Sequence, residues 1–72
     1  MRFVSSPTIP PMVWHLFTAN VRYEVVEEKW KNDRTGTSLA FVIDDNGKKE
    51  GPIRLNGTCA YLNDGWWDIH QG

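Results

Sequence analysis

Apolar and polar positions alternate along much of this chain with the two-residue period of strands. Val21, Tyr23 and Val25 interleave with Arg22 and Glu24, which predicts a half-buried strand over residues 21–30. The alternation breaks at Val25 and Val26. Continuing it would turn Glu27 and Lys29 inward, so a bulge near Val26 is expected to re-aim the rest of the strand. Residues 32–36 (NDRTG) are loop chemistry, and residues 37–44 (TSLAFVID) form the clearest strand, with Leu39, Phe41 and Ile43 on one face. These two strands are expected to pair as a hairpin.

Three turn signals punctuate the second half. Asn46-Gly47 predicts a hairpin with a type I′ turn, in which both central residues take positive φ; Asn56-Gly57 and Asn63-Asp64-Gly65 are the others. Between them lie short runs at residues 51–55, 58–62 and 66–69. The first is expected to be an edge strand, because Pro52 has no N–H to give a central ladder. On the last, Trp67 shares a face with Ile69 and Trp66 shares the other with Asp68, so Trp67 is expected inside and Trp66 outside.

The N-terminal part is different. Pro7, Pro10 and Pro11 disfavour helix, and residues 1–11 read as an extended arm ahead of a single β domain over residues 12–72. Residues 12–17 (MVWHLF) are a compact apolar run that periodicity assigns neither to a strand nor to a helical turn. The expected fold is all-β with room for one short helical turn: a small antiparallel meander, or an SH3- or OB-like open barrel of four to six short strands.

Length makes such a domain marginal. A chain of 72 residues buries only roughly 60% of its unfolded surface. Cys59, the sole cysteine, closes no intramolecular disulfide, and with His15 and His70 it makes no four-ligand zinc set. Asp44, Asp45, Asn46 and Gly47 lack the glutamate that an EF-hand needs at its twelfth position. No metal and no cofactor is therefore expected. The support left is oligomerisation, a partner, or the large rings, with Trp14, Trp30, Trp66 and Trp67 foremost.

Charge and hydropathy narrow the partners. The net charge is −1, with basic and acidic residues interleaved, which gives no field for duplex nucleic acid. No apolar run approaches the ~20 residues of a membrane span, and the prolines interrupt the stretch that a secretory signal would need. A cytoplasmic location without membrane association is expected.

Catalysis is not expected. Cys59 sits between Thr58 and Ala60, which supply no charge to lower a thiol pKa, and is read as a buried structural residue. His15, between Trp14 and Leu16, reads as a core or boundary residue; Glu27, Glu28, Asp44 and Asp45 read as solvated carboxylates. A domain of this size also has little room for the ~300 Å³ or more of a small-molecule pocket.

The expected function is a non-enzymatic protein-binding module, a regulator or inhibitor docking on a larger protein assembly. It rests on the tryptophans, because binding hot spots are rich in Trp, Tyr and Arg. Candidate contact residues are Trp66, Trp30, Lys31, Arg34 and Asp68. In size and in lacking a catalytic motif the chain is like the accessory proteins of phages and mobile elements, an analogy of kind only. The alternative is a single-strand nucleic-acid binder, with Trp and Tyr as stacking platforms and Arg22, Lys29, Lys31, Arg34 and Arg54 contacting phosphates.

Overall fold

The computed structural model describes residues 1–30, 37–57 and 59–72, with the backbone alone at 29, 30 and 37. Six strands succeed one another: β1 (Arg2–Ser5), β2 (Tyr23–Trp30), β3 (Thr37–Ile43), β4 (Lys49–Asn56), β5 (Cys59–Leu62) and β6 (Gly65–Gln71). Each pairs antiparallel with its successor, and β1 pairs antiparallel with β6, so the meander closes into a barrel. The fold is all-β, with a single 3₁₀ turn at Pro11–Val13 among the described residues.

Two bulges bend the sheet into this small circle. Val26 pairs with Phe41 and Lys29 with Leu39, so Glu27 and Glu28 together face Ala40, and Glu27 takes a φ of 53°. This is the irregularity that the broken alternation predicts. On the other side of β3, Ala40 pairs with Ile53 and Val42 with Glu50, so Gly51 and Pro52 together face Phe41. The edge strand expected at residues 51–55 is thus part of the longer β4, which pairs with β5 only over Arg54 to Asn56, and Pro52 sits ahead of that pairing in a bulge where no ladder N–H is required. Gly51, at φ 142°, meets the Phe41 ring so closely that a Cβ there would lie 3.0 Å from it. An extra residue in each flanking strand sharpens the local twist, which a closed barrel of short strands needs.

Arg2–Ser5 corrects the expected arm. Phe3 and Val4 pair with Glu24 and Tyr23 on one side, and Arg2 to Ser5 pair with Gln71 to Asp68 on the other. Prolines begin only at residue 7, which left the first residues free to be a strand. Residues 6–22 then cross the end of the barrel where β1 finishes and β2 begins. Ile9 and Phe17 are buried there, and Val13 and Leu16 pack against the core. The apolar run at residues 12–17 is therefore a plug entered through a helical turn.

The interior is narrow. β3 gives it Ser38, Ala40 and Val42, and β5 gives Ala60, all essentially inaccessible to solvent. Leu39, Phe41 and Ile43 do share a face, but it is the outer one, where they are half-buried. Volume comes from Val4, Ile53 and Leu55 and from three rings. Phe17 meets Tyr23 edge to face at 4.9 Å and Trp67 at 5.3 Å, and Tyr23 stands 6.3 Å from Trp67. Such pairs add about 0.5–1.5 kcal/mol beyond the area they bury.

The β3–β4 turn clasps the plug. Gly47 donates its N–H to the Asp44 carbonyl at 3.0 Å, and Asp44 donates to the Lys48 carbonyl at 2.9 Å. Of the two residues in the Asn46-Gly47 signal only Gly47 has positive φ, at 77°. The expected type I′ turn is thus a type I turn across Asp45 and Asn46, with the glycine at the left-handed position that follows it. Asp45 donates its N–H to the Leu16 carbonyl at 2.8 Å, and its carboxylate accepts from the Tyr23 hydroxyl at 2.8 Å and the Thr18 hydroxyl at 3.0 Å. Asp44, expected to be solvated, is buried: its Oδ1 accepts from the Asn46 N–H at 2.8 Å and the Lys48 N–H at 3.0 Å.

Burial opposes ionisation of Asp44, but the N–H donors of Lys48 and Asn46, with Glu50 and the Lys48 charge, hold its carboxyl below the ordinary range. Burial likewise opposes ionisation of Glu28, outweighed by hydrogen bonds from Arg2 and Ser38. A carboxyl depressed in the folded state adds stability above its unfolded pKa of about 4, lost as pH falls through the lower folded value. The urea midpoint should accordingly drop as pH is lowered from about 5 toward 3, and Asp44→Asn should flatten that drop; an unchanged slope would contradict the assignment. A Cβ on Gly47 would meet nothing within 4 Å, so Gly47→Val tests the backbone alone. It should cost about 1–2 kcal/mol in chemical denaturation, the left-handed penalty of a branched residue.

Candidate functional site

The turn Asn63-Asp64 sets the geometry of the outer surface. Both residues take positive φ, 52° and 59°, while Leu62 pairs with Gly65, which is a two-residue type I′ hairpin. Register then follows: Tyr61 lies opposite Trp66, Ala60 opposite Trp67 and Cys59 opposite Asp68. Ala60 and Trp67 point into the barrel, each 2% exposed or less. Alternation puts Trp66, Asp68 and Tyr61 outside. Trp66 is 63% exposed, and its ring rests against Tyr61 with centroids 4.9 Å apart.

Pairing extends this row. Arg54 on β4 lies opposite Tyr61, so Arg54, Tyr61 and Trp66 stand side by side across three strands. Beyond Trp66, an open groove of about 400 Å³ separates residues 6–11 from residues 63–67. Pro7, Ile9, Pro10 and Pro11 form one wall and Asp64, Gly65 and Trp66 the other. The first wall is fixed from within: the Ser6 hydroxyl donates to the Thr8 carbonyl at 2.8 Å, and the Trp14 indole N–H donates to the Ile9 carbonyl at 2.6 Å. A second cavity of about 240 Å³, lined by Leu16, Phe17, Glu50 and Leu62 among others, lies beside the plug. The larger groove exceeds the volume that chain length led us to expect, because the connection folds back and supplies a wall.

Of the residues predicted for partner contact, Trp66 and Asp68 are exposed on one face of β6. Trp30 ends β2 opposite Ser38, and its side chain lies outside the described residues, as do Lys31 and Arg34. Sequence pattern offers Arg54 only as a phosphate contact, in the nucleic-acid alternative, and does not single out Tyr61 or Asp64 for partner contact. Alternation from Ala60 would have turned Tyr61 outward, but only the register places it beside Trp66. Trp14, one of the large rings expected to support the domain, is 65% exposed, with its indole N–H donated to the Ile9 carbonyl of the connection itself.

The remaining chemical groups correct two expectations. Cys59 is half-buried on the outer side, since Ala60 takes the inward position of β5. His15 is exposed in the plug, its carbonyl accepting from the Asn46 amide at 3.3 Å. His70 Nε2 and Ser5 Oγ lie 2.7 Å apart on the β1–β6 surface. Among the described residues no cluster of three His, Cys, Asp or Glu could hold a metal ion, and no helix is long and apolar enough to cross a membrane. No family model, curated protein or solved structure matches this chain.

The two adjacent tryptophans should therefore separate in experiment. Trp67→Ala removes the ring that touches both Phe17 and Tyr23, at a cost of about 3–5 kcal/mol, enough to unfold a domain whose whole margin is of that order. Trp66→Ala loses one cross-strand ring contact and should cost under about 1 kcal/mol in thermal or urea melts. Equal destabilisation by both would contradict the assignment of the two faces.

Proposed function

We propose that this chain is a protein-binding module that docks on a larger protein, as a regulator or inhibitor would, through the outer face of β4, β5 and β6. The observation that carries the reading is Trp66, 63% exposed and seated on Tyr61. Arg54 completes the row. Trp, Tyr and Arg are the residue types that dominate binding hot spots, and an indole held by a neighbouring ring loses little freedom when a partner covers it.

Charge favours a protein over a nucleic-acid strand. Stacked rings beside a cation also suit unpaired bases. However, Asp64 and Asp68 are exposed on either side of Trp66 in sequence, and phosphates would have to approach both. A surface with Arg54 at one end and carboxylates at the other matches the mixed charge of a protein partner.

The test compares Trp66→Ala and Arg54→Ala with the parent chain as bait, after each is shown to melt like the parent. A specific partner should be retained by the parent and weakened on Trp66→Ala by about 2 kcal/mol, roughly 30-fold. Retention indifferent to both substitutions would remove this surface from the site. A mixed-sequence single-stranded oligonucleotide, titrated at low and high salt, tests the competing reading: binding that falls steeply with salt would replace the protein-binding one.

A further inference from the structure

The groove beside Trp66 restricts what its occupant can be. β1 pairs with β6 only as far as Asp68, so along Gly65 to Trp67 β6 has β5 on one side and this groove on the other, a place that fits a chain laid down in extended form. Side chains then decide which segment is taken. On the proline wall, the carbonyls of Thr8, Ile9, Pro10 and Pro11 already accept from Ser6, Trp14, Val13 and Trp14 respectively. That wall offers apolar rings and shape. The opposite wall carries the charge. Among the described residues Asp64 is the one ionisable group lining the groove, and Asp68 stands two residues beyond Trp66 on the same outer face. Among the described residues neither carboxylate has an ion-pair partner, whereas Glu27 and Glu28 are engaged by Lys49 and Arg2. Arg54 lies on the far side of Tyr61, two strand spacings or roughly 10 Å from the Trp66 strand.

We infer that this groove binds an extended, arginine-bearing segment of the partner protein, its guanidinium lying over the Trp66 indole and pairing with Asp64 and Asp68. The inference rests on the protein-binding reading and names the chemistry of what that surface takes. Arginine suits the place better than lysine. Its planar, weakly hydrated guanidinium stacks on an indole while its N–H groups reach carboxylates at the ring's edge, whereas a strongly hydrated ammonium gains less. Apolar residues flanking the arginine would lie along Pro7, Ile9 and Pro10. Because Ser6 and Trp14 brace the proline wall beforehand, little ordering is needed on binding.

The experiment uses the intact chain, ¹⁵N-labelled, titrated with three short capped peptides that differ only at one central position between prolines: arginine, lysine or glutamate. The arginine peptide should shift the amides of Thr8, Ile9, Asp64, Gly65 and Trp66 and the Trp66 indole N–H. The lysine peptide should bind more weakly, and the glutamate peptide at least about tenfold more weakly. The double variant Asp64→Asn with Asp68→Asn keeps the fold and the ring, and should lose about tenfold for the arginine peptide alone. Equal affinity for the arginine and glutamate peptides would overturn the proposal. So would shifts confined to the outer face of β2 and β3, or none at millimolar peptide. If those failures accompany a partner whose retention still depends on Trp66, the occupant is wrong and the docking surface stands. If Trp66→Ala also leaves retention unchanged, the protein-binding reading of this surface falls with it.

Discussion

Everything in this molecule depends on filling a narrow barrel with very few side chains. β3 and β5 contribute Ser38, Ala40, Val42 and Ala60, which occupy little volume. Beside Val4, Ile53 and Leu55, the space left is taken by Trp67 from β6, Tyr23 from β2 and Phe17 from the connection, meeting edge to face. One of the three rings thus comes from outside the sheet. The connection at residues 6–22 is consequently part of the core, and its anchors explain themselves on that basis. Asp45 holds Leu16, Thr18 and Tyr23 at once, so the β3–β4 turn, the plug and β2 are fixed by a single carboxylate and its backbone. Burial and the Asp45 carboxylate push ionisation of the Tyr23 phenol above its ordinary value, keeping it a hydroxyl that can donate.

Closure of so small a barrel has a consequence for the surface. With two residues facing one on each side of β3, the sheet turns sharply there, and the larger side chains of that strand are directed outward. Phe41 is then sheltered by Lys49, whose ammonium lies 5.0 Å from the ring centre while pairing with Glu27 at 2.6 Å. The outer aromatic of β3 is thereby satisfied by the chain itself. Trp66 is not covered in this way. Among the described residues its one ring neighbour is Tyr61, and most of its surface faces outward. The two outer faces of the barrel therefore differ in character, one finished and one open.

How much of this could be read from the sequence depended on the range of the interaction. Period-two alternation located β2, β3 and β6, and its interruption at Val26 located the bulge, because both are properties of neighbouring residues. The division of Trp66 from Trp67 follows from the same rule. Where the deciding contact is distant in sequence, the reading stopped short. Nothing in Arg2 to Ser5 shows that Asp68 to Gln71 will pair with it. Nothing in residues 12–17 shows that a barrel mouth awaits them. Pro52 argued for an edge because the bulge opposite Phe41 is visible only once β3 and β4 are in register. Asn46-Gly47 gave the right place and the wrong turn, since the Asp44 carboxylate, by accepting two backbone N–H groups, stabilises the type I form instead. The site divides along the same line: Trp66 and Asp68 belong to one strand and were legible, whereas Arg54, Tyr61 and the proline wall reach Trp66 only through pairing and chain reversal.

Alternation dictates that position 66 faces outward, but it does not dictate what stands there. A core so dependent on Trp67 requires only that the neighbouring side chain be tolerated by solvent, which a threonine or lysine would satisfy. An indole at that position is neither needed by the interior nor shielded by the exterior. It is instead propped by Tyr61, bordered by Asp64 and Asp68, and faced across a groove by a wall that the molecule's own hydrogen bonds hold rigid. Each of these features lowers the cost of covering the ring. The docking proposed for the outer face of β4, β5 and β6 would thus use a side chain that the barrel itself does not require, on a scaffold whose stability is settled on the other side of the same strand.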